Sequence, residues 1–167
     1  MATTKLFNKD GTETPQRPSW RGNEQEIAEK AVEKLFAGDH CDFEYDERED
    51  LIRSIFSNWY EHCDAYDLAK DFEDDGWSVD RDFIDKIESV DSCLHSVIRD
   101  MIKEWGETND IQQPLPLGTE LDCGVIDGIF EYEPATYQVK TCDDLGLLDP
   151  TSRRLIKWEN AVLKVKD

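Results

Sequence analysis

The sequence predicts an α+β protein, a helical unit followed by a smaller unit of short strands, and three observations predict it. Apolar residues recur every three or four positions through much of residues 23–112. The run Gln113-Pro114-Leu115-Pro116 ends that period, and short alternating runs separated by turn residues take over. The negative charge is confined to part of the helical region: residues 39–91 hold 19 Asp/Glu against five Lys/Arg, a net of −14 out of −20 for the whole chain. The expected organisation is a polar N-terminal arm (1–22), an acidic helical domain (23–112) and a small β domain (113–167).

In the arm, Lys5-Leu6-Phe7 ahead of Asp10-Gly11 reads either as a short strand entering a turn or as part of a mobile segment. The first helix is marked by Asn23 and Glu26 as N-cap and capping-box partner, by Ile27, Ala31, Leu35 and Phe36 on one face, and by Gly38 as its stop. Asp46-x-x-Glu49 repeats the start signal. A second helix is expected from about 47 to the low seventies, with Ile52, Ile55, Phe56, Trp59, Cys63 and Tyr66 within about 100° of arc. Glu61, Asp64, Asp67, Asp71 and Asp75 fall roughly opposite, as a row of carboxylates facing away from the core. Leu68 and Phe72 fit neither face, which points to a break near 67. The third helix has the longest regular pattern: Phe83, Ile87, Val90, Leu94, Val97, Met101 and Trp105, with no Gly or Pro between 80 and 105. Three heptads are too few for an intermolecular coiled coil, so this seam reads as the core of a three-helix unit. Strands are expected at 120–124, 125–131, 136–141, 153–158 and about 162–165.

The segments Leu117-Gly118-Thr119, Gly124-Val125-Ile126-Asp127-Gly128-Ile129, Tyr137-Gln138-Val139-Lys140, Leu155-Ile156-Lys157-Trp158 and Ala161-Val162-Leu163 resemble a small SH3-like barrel of the Tudor or KOW type. The resemblance covers about the last fifty residues. It implies an antiparallel barrel that serves as a binding module or support, and it supplies no active site. On this resemblance the expected fold is an acidic three-helix unit followed by a small antiparallel SH3-like β-barrel.

Asp127-Gly128-Ile129 with Gln138-Val139-Lys140 is also similar to the core of Mrr-type PD-(D/E)xK endonucleases. That similarity implies Asp127 and Gln138 as ligands of Mg²⁺ and Lys140 as stabiliser of developing charge. The flanking basic surface a DNA-cutting enzyme needs is missing. Asp71, Glu73, Asp75 and Gly76 match positions 1, 3, 5 and 6 of an EF-hand loop, but Ser78 and Asp82 break the match, and a helix start at Ser78 or Asp80 explains the segment better. His40-Cys41, His62-Cys63 and Cys93-x-His95 lack metal-binding spacing, and buried small side chains account for the cysteines. Walker, dinucleotide and nucleophile-elbow motifs are absent, and no cofactor is expected.

A pI near 4.4 argues against direct contact with nucleic acid or an anionic membrane through the acidic segment. No run approaches twenty apolar residues, and five cysteines at irregular spacing read as reduced thiols, so the expected location is the cytoplasm. The expected partner is a basic nucleic-acid-binding protein, held by Glu61, Asp64, Asp67, Asp71, Asp74 and Asp75 with Phe43, Tyr45, Tyr60 and Trp77 as aromatic anchors. In size and charge the chain is similar to acidic anti-restriction and anti-CRISPR inhibitors of phages, which implies inhibition by imitating a nucleic acid. A metal-dependent nuclease at Asp127, Gln138 and Lys140 is the alternative, and an acidic adaptor whose barrel binds a peptide is a third.

Overall fold

The computed structural model describes residues 4–38, 41–142 and 148–165. Four α-helices precede a four-stranded antiparallel sheet: α1 (Glu24–Ala37), α2 (Arg48–Asn58), α3 (Ala65–Asp74) and α4 (Arg81–Thr108), then β1 (Glu120–Leu121), β2 (Gly124–Ile129), β3 (Thr136–Cys142) and β4 (Leu148–Lys157). The chain forms two compact units. One is Pro18–Met101. The other combines the segment ending at Arg17 with everything from Ile102 onward, so the division falls inside α4 rather than at the expected 112/113 boundary.

In the helical unit, α1 buries Ile27, Ala31, Val32 and Leu35, α2 buries Leu51, Ile52 and Ile55, and α4 contributes Phe83, Ile87, Val90, Leu94 and Val97, the seam its period predicts. The Asp80 carboxylate accepts the Phe83 N–H at 2.9 Å and caps α4 where the sequence placed a helix start. The expected cap of α1 differs: the Asn23 amide donates instead to the Ser19 carbonyl, and Glu26 pairs with Lys30. The start signal at Asp46 and Glu49 is likewise displaced, because the reciprocal capping bonds join Glu44 and Glu47.

The single long second helix is in fact two. Trp59 leaves helical geometry at φ −76° and ψ 141°, and His62 adopts a left-handed φ of +74°. The Trp59 indole donates to Asp91 on α4 at 2.8 Å, and Asp64 restarts the chain as the N-cap of α3 by accepting the Tyr66 N–H at 2.8 Å. The break resets the helical phase. Leu68 and Phe72, which fit neither face of one continuous helix, are fully buried on α3, and Phe56 and Tyr66 become exposed. Phe72 joins Phe43, Trp77 and Phe83 in a ring cluster with centroid separations of 5.7–6.1 Å.

The second unit is an open meander in the order β1-β2-β3-β4 and does not close into the expected barrel. Its apolar face is Leu121, Ile126, Tyr137 and Val139, covered by Leu6, Trp105, Ala135 and Trp158. Closure would require β1 to pair with β4. β1 is only two residues long, and its outer side bonds to the C-terminal stretch instead, Asp122 N–H to Val162 O at 3.0 Å and Lys164 N–H to Glu120 O at 3.2 Å. The expected N-terminal arm, 1–22, is divided: the part ending at Arg17 belongs to this unit, where Phe7 bridges Glu13, Asn8 bridges Ile111 and Leu6 is buried, and 18–22 belong to the helical unit.

Gly106 on α4 lies against Pro134, and a Cβ there would overlap the proline ring. Gly106→Ala is expected to destabilise the protein by about 1–3 kcal/mol despite alanine's better helix propensity, because the rigid ring cannot move aside. Urea unfolding followed by tryptophan fluorescence checks this. An unchanged midpoint would show that the close approach is not a packing constraint.

Candidate functional site

The unit spanning Pro18–Met101 carries 24 Asp/Glu and nine Lys/Arg, a net of −15, and the remaining residues carry −5. Within it, Asp67, Asp71 and Asp74 are exposed on α3 at spacings of four and three, so they stand on one side of the helix while Leu68, Ala69 and Phe72 fill the other. Asp67 pairs with Lys70 at 3.3 Å, an exposed contact. The other predicted carboxylates have local duties as well: Asp64 caps α3, Asp75 accepts the Asn58 amide at 2.8 Å, and Glu61 lies in the turn before α3 at 3.4 Å from the Trp20 N–H.

The four aromatic anchors divide in two. Tyr45 is 80% exposed and Tyr60 54%. Phe43 is only 6% exposed, and Trp77 is half-buried in the same ring cluster, with its indole donating to Ser54 Oγ at 2.9 Å. Phe43 is therefore a core side chain rather than a surface anchor. Phe56 and Tyr66, which the single-helix reading turned inward, supply the missing exposed rings, and Lys70 Nζ sits 4.1 Å from the Tyr66 ring centroid. The phase of Leu68 and Phe72 was the signal that could have found them.

Between α2 and the turn after α3 lies a cleft of about 380 Å³, lined by carboxylates, serines, the Trp77 side chain and Arg53, whose guanidinium pairs with Asp50 at 2.9 Å. It lies wholly in the acidic unit.

The sheet places the alternative site residues as follows. Gln138 and Lys140 alternate with the buried Tyr137 and Val139, so they share the opposite face of β3. Asp127 is the extra residue of a bulge between Ile126 and Gly128, and its carboxylate lies 2.7 Å from Arg153 Nε. A guanidinium at that oxygen competes with any metal ion, and the set does not suit Mg²⁺ as it stands. Among the described residues no group of three or more His, Cys, Asp or Glu side chains could hold a metal ion.

His62 is exposed, and His95 packs on Trp59 with Nε2 3.6 Å from Asp91; His40 lies outside the described residues. All five cysteines are free thiols. Burial pushes the thiols of Cys63, Cys93 and Cys123 above their ordinary range and does the same to the Tyr137 hydroxyl, which bonds both polar atoms of the Leu115 backbone. A raised folded-state value contributes stability that is fully present below the unfolded value and is lost as pH rises through the folded one. The unfolding midpoint should therefore hold up to about pH 8 and fall from about pH 9, where unfolded thiols ionise. Urea titrations at pH 7, 9 and 10 measure it; a midpoint independent of pH would contradict the burial.

No helix among the described residues is long and apolar enough to cross a membrane. No protein-family model matches the chain, and the curated proteins and solved structures contain no match either.

Proposed function

We propose that this protein is a non-enzymatic inhibitor that occupies the basic nucleic-acid-binding surface of another protein, offering carboxylates where that surface expects phosphates. The observation that carries the reading is the concentration of charge, net −15, on one compact unit, most of whose acidic side chains are exposed around a buried apolar core. Each strand of a duplex carries one phosphate per about 3.4 Å of axis. Asp67, Asp71 and Asp74 advance by about 6 and 4.5 Å along α3 at 1.5 Å per residue, a spacing of the same order. Acids steer a basic partner in rapidly, and the exposed Tyr45, Tyr60, Tyr66 and Phe56 provide the apolar contacts that bare charge lacks.

The test is capture from a bacterial lysate on immobilised protein at low and high salt, followed by competition. The expected result is a basic DNA- or RNA-binding protein that salt elutes, and whose binding to nucleic acid is blocked in a way that added duplex relieves competitively. Failure to capture any such protein, or a block that added nucleic acid does not relieve, would overturn the reading. Cleavage of DNA with Mg²⁺ or Mn²⁺ that disappears in Asp127→Ala and Lys140→Ala would install the nuclease in its place.

A further inference from the structure

We propose that the outer edge of β4 takes up an extended acidic segment of a partner as a further strand of the sheet. The inference goes beyond the functional reading above and does not depend on it. β4 is the last strand in the order β1-β2-β3-β4, so it has β3 on one side and no strand of the sheet on the other. Its regular part is 153–157, which pairs residue by residue with 140–136 of β3.

The phase of that ladder fixes which backbone groups face outward. The Trp158 N–H donates to the Ala135 carbonyl at 2.9 Å, which makes Lys157 and Thr136 a non-hydrogen-bonded pair. Leu155 and Arg153, two and four residues back, share that phase. The N–H and C=O groups of Arg153, Leu155 and Lys157 therefore point away from β3. Among the described residues nothing on that side bonds to the backbone of Leu155 or Lys157. Both are exposed, Leu155 at 47%. Donors and acceptors recurring every second residue along an exposed edge are what an added strand uses.

The side chains select the occupant. Arg153, Arg154 and Lys157 fall within five residues of a chain whose net charge is −20. Arg153 holds Asp127 at 2.7 Å, but Arg154 and Lys157 are exposed and have no ion-pair partner among the described residues. Cations on an edge repel another basic strand. A second copy is disfavoured for that reason: two β4 edges paired antiparallel about Leu155 would set Arg153 of each opposite Lys157 of the other, and like charges directly opposite destabilise a sheet. An acidic strand reverses the sign. With an apolar residue opposite Leu155, carboxylates two residues to either side fall opposite Arg153 and Lys157, with Arg154 close by. The segment recognised is thus extended, with an apolar residue between two acids in alternate positions.

The experiment titrates the intact protein with acetyl-Glu-Thr-Val-Thr-Glu-amide, following the Leu155 and Lys157 backbone amides by NMR and hydrogen exchange. Two control peptides carry lysine for both glutamates, or a methylated valine nitrogen that cannot donate to the Leu155 carbonyl. The acidic peptide should shift both amides saturably and slow their exchange, and each control should bind at least tenfold more weakly. Arg154→Gln with Lys157→Gln should weaken the acidic peptide at least tenfold at an unchanged thermal midpoint. Lys9→Gln with Lys103→Gln, which removes equal charge from surface ion pairs elsewhere in the unit, should change it less than threefold. The absence of a saturable shift with the acidic peptide would overturn the proposal, and so would equal binding of either control. Shifts of Leu155 and Lys157 produced by raising the protein concentration alone would also overturn it, assigning the edge to a second copy.

Discussion

Arg17→Met is expected to destabilise the protein by about 3–5 kcal/mol, the loss typical of removing one partner from a buried ion pair. The Arg17 side chain is 5% exposed, and all five of its N–H donors are used. Nε and Nη2 grip Glu159 at 2.6 and 3.2 Å, Nη1 reaches Glu133 at 3.1 Å and the Pro134 carbonyl at 2.9 Å, and Nη2 also reaches the Ala135 carbonyl at 2.9 Å. The guanidinium carbon lies 4.9 Å from the Trp105 ring centroid. This clasp holds the N-terminal segment to the β2–β3 connection and the end of β4, and it fastens Ala135, which sits at a left-handed φ of +51°. Removing it strands Glu159, only 15% exposed, and two backbone carbonyls. Adding Glu159→Gln to Arg17→Met should recover part of the loss, since the stranded charge is then gone. Equilibrium urea unfolding of wild type, single and double variants measures both terms. A loss below about 1 kcal/mol for the single variant would mean that water or a rearranged side chain substitutes for the guanidinium.

Nothing in the sequence announces Arg17, because its acceptors lie 116 to 142 residues away and carry no local pattern. What was legible follows the same physical rule. The seam of α4 could be read because Phe83, Ile87, Val90, Leu94 and Val97 are buried in one uninterrupted phase, and β2 and β3 because their inward residues alternate in a sheet with a single buried face. The split between α2 and α3 was only half legible. Leu68 and Phe72 reported a change of phase, but the reset occurs at Trp59 and His62, where no Gly or Pro stands, and it depends on the bond from Trp59 to Asp91. Barrel closure was not legible at all, since strand runs of this kind are common to open and closed sheets; here a two-residue β1 and the covering Trp105 and Leu6 decide it. In the candidate site, Asp67 and Asp71 of the expected row do face outward on one helix, whereas Glu61, Asp64 and Asp75 lie before, at the start and at the end of α3, and Asp74 takes their place on its exposed side. Phe43 and Trp77 were not assigned to the core, because isolated aromatics in acidic connections have no period to declare which way they point.

Reversing Asp67, Asp71 and Asp74 together to Lys is expected to weaken partner binding by at least a hundredfold at low ionic strength while leaving stability equal or slightly raised. All three are exposed on α3, they stand on the side away from Leu68 and Phe72, and among the described residues the ion pair at risk is the surface contact of Asp67 with Lys70. Surface pairs of that kind contribute about 0–1 kcal/mol. Against that small loss, lysines at 71 and 74 would stand in the last turns of a helix whose C-terminal end now carries carboxylates, and cations there are favoured by about 0.3–1 kcal/mol. Asp64 is spared because it caps α3, and its loss would mix a folding defect into the result. The change moves net charge from −20 to −14 and inverts its sign along one helix face. If the carboxylates stand in for phosphates, three phosphate-like contacts become repulsive, and the salt dependence of binding should flatten along with the affinity. Dissociation constants from 50 to 300 mM salt, measured beside thermal midpoints, separate the two roles an acidic helix face can have. An unchanged affinity at every salt concentration, with the expected small rise in stability, would show that the face serves solvation alone, and the proposed mimicry would then lose its α3 surface.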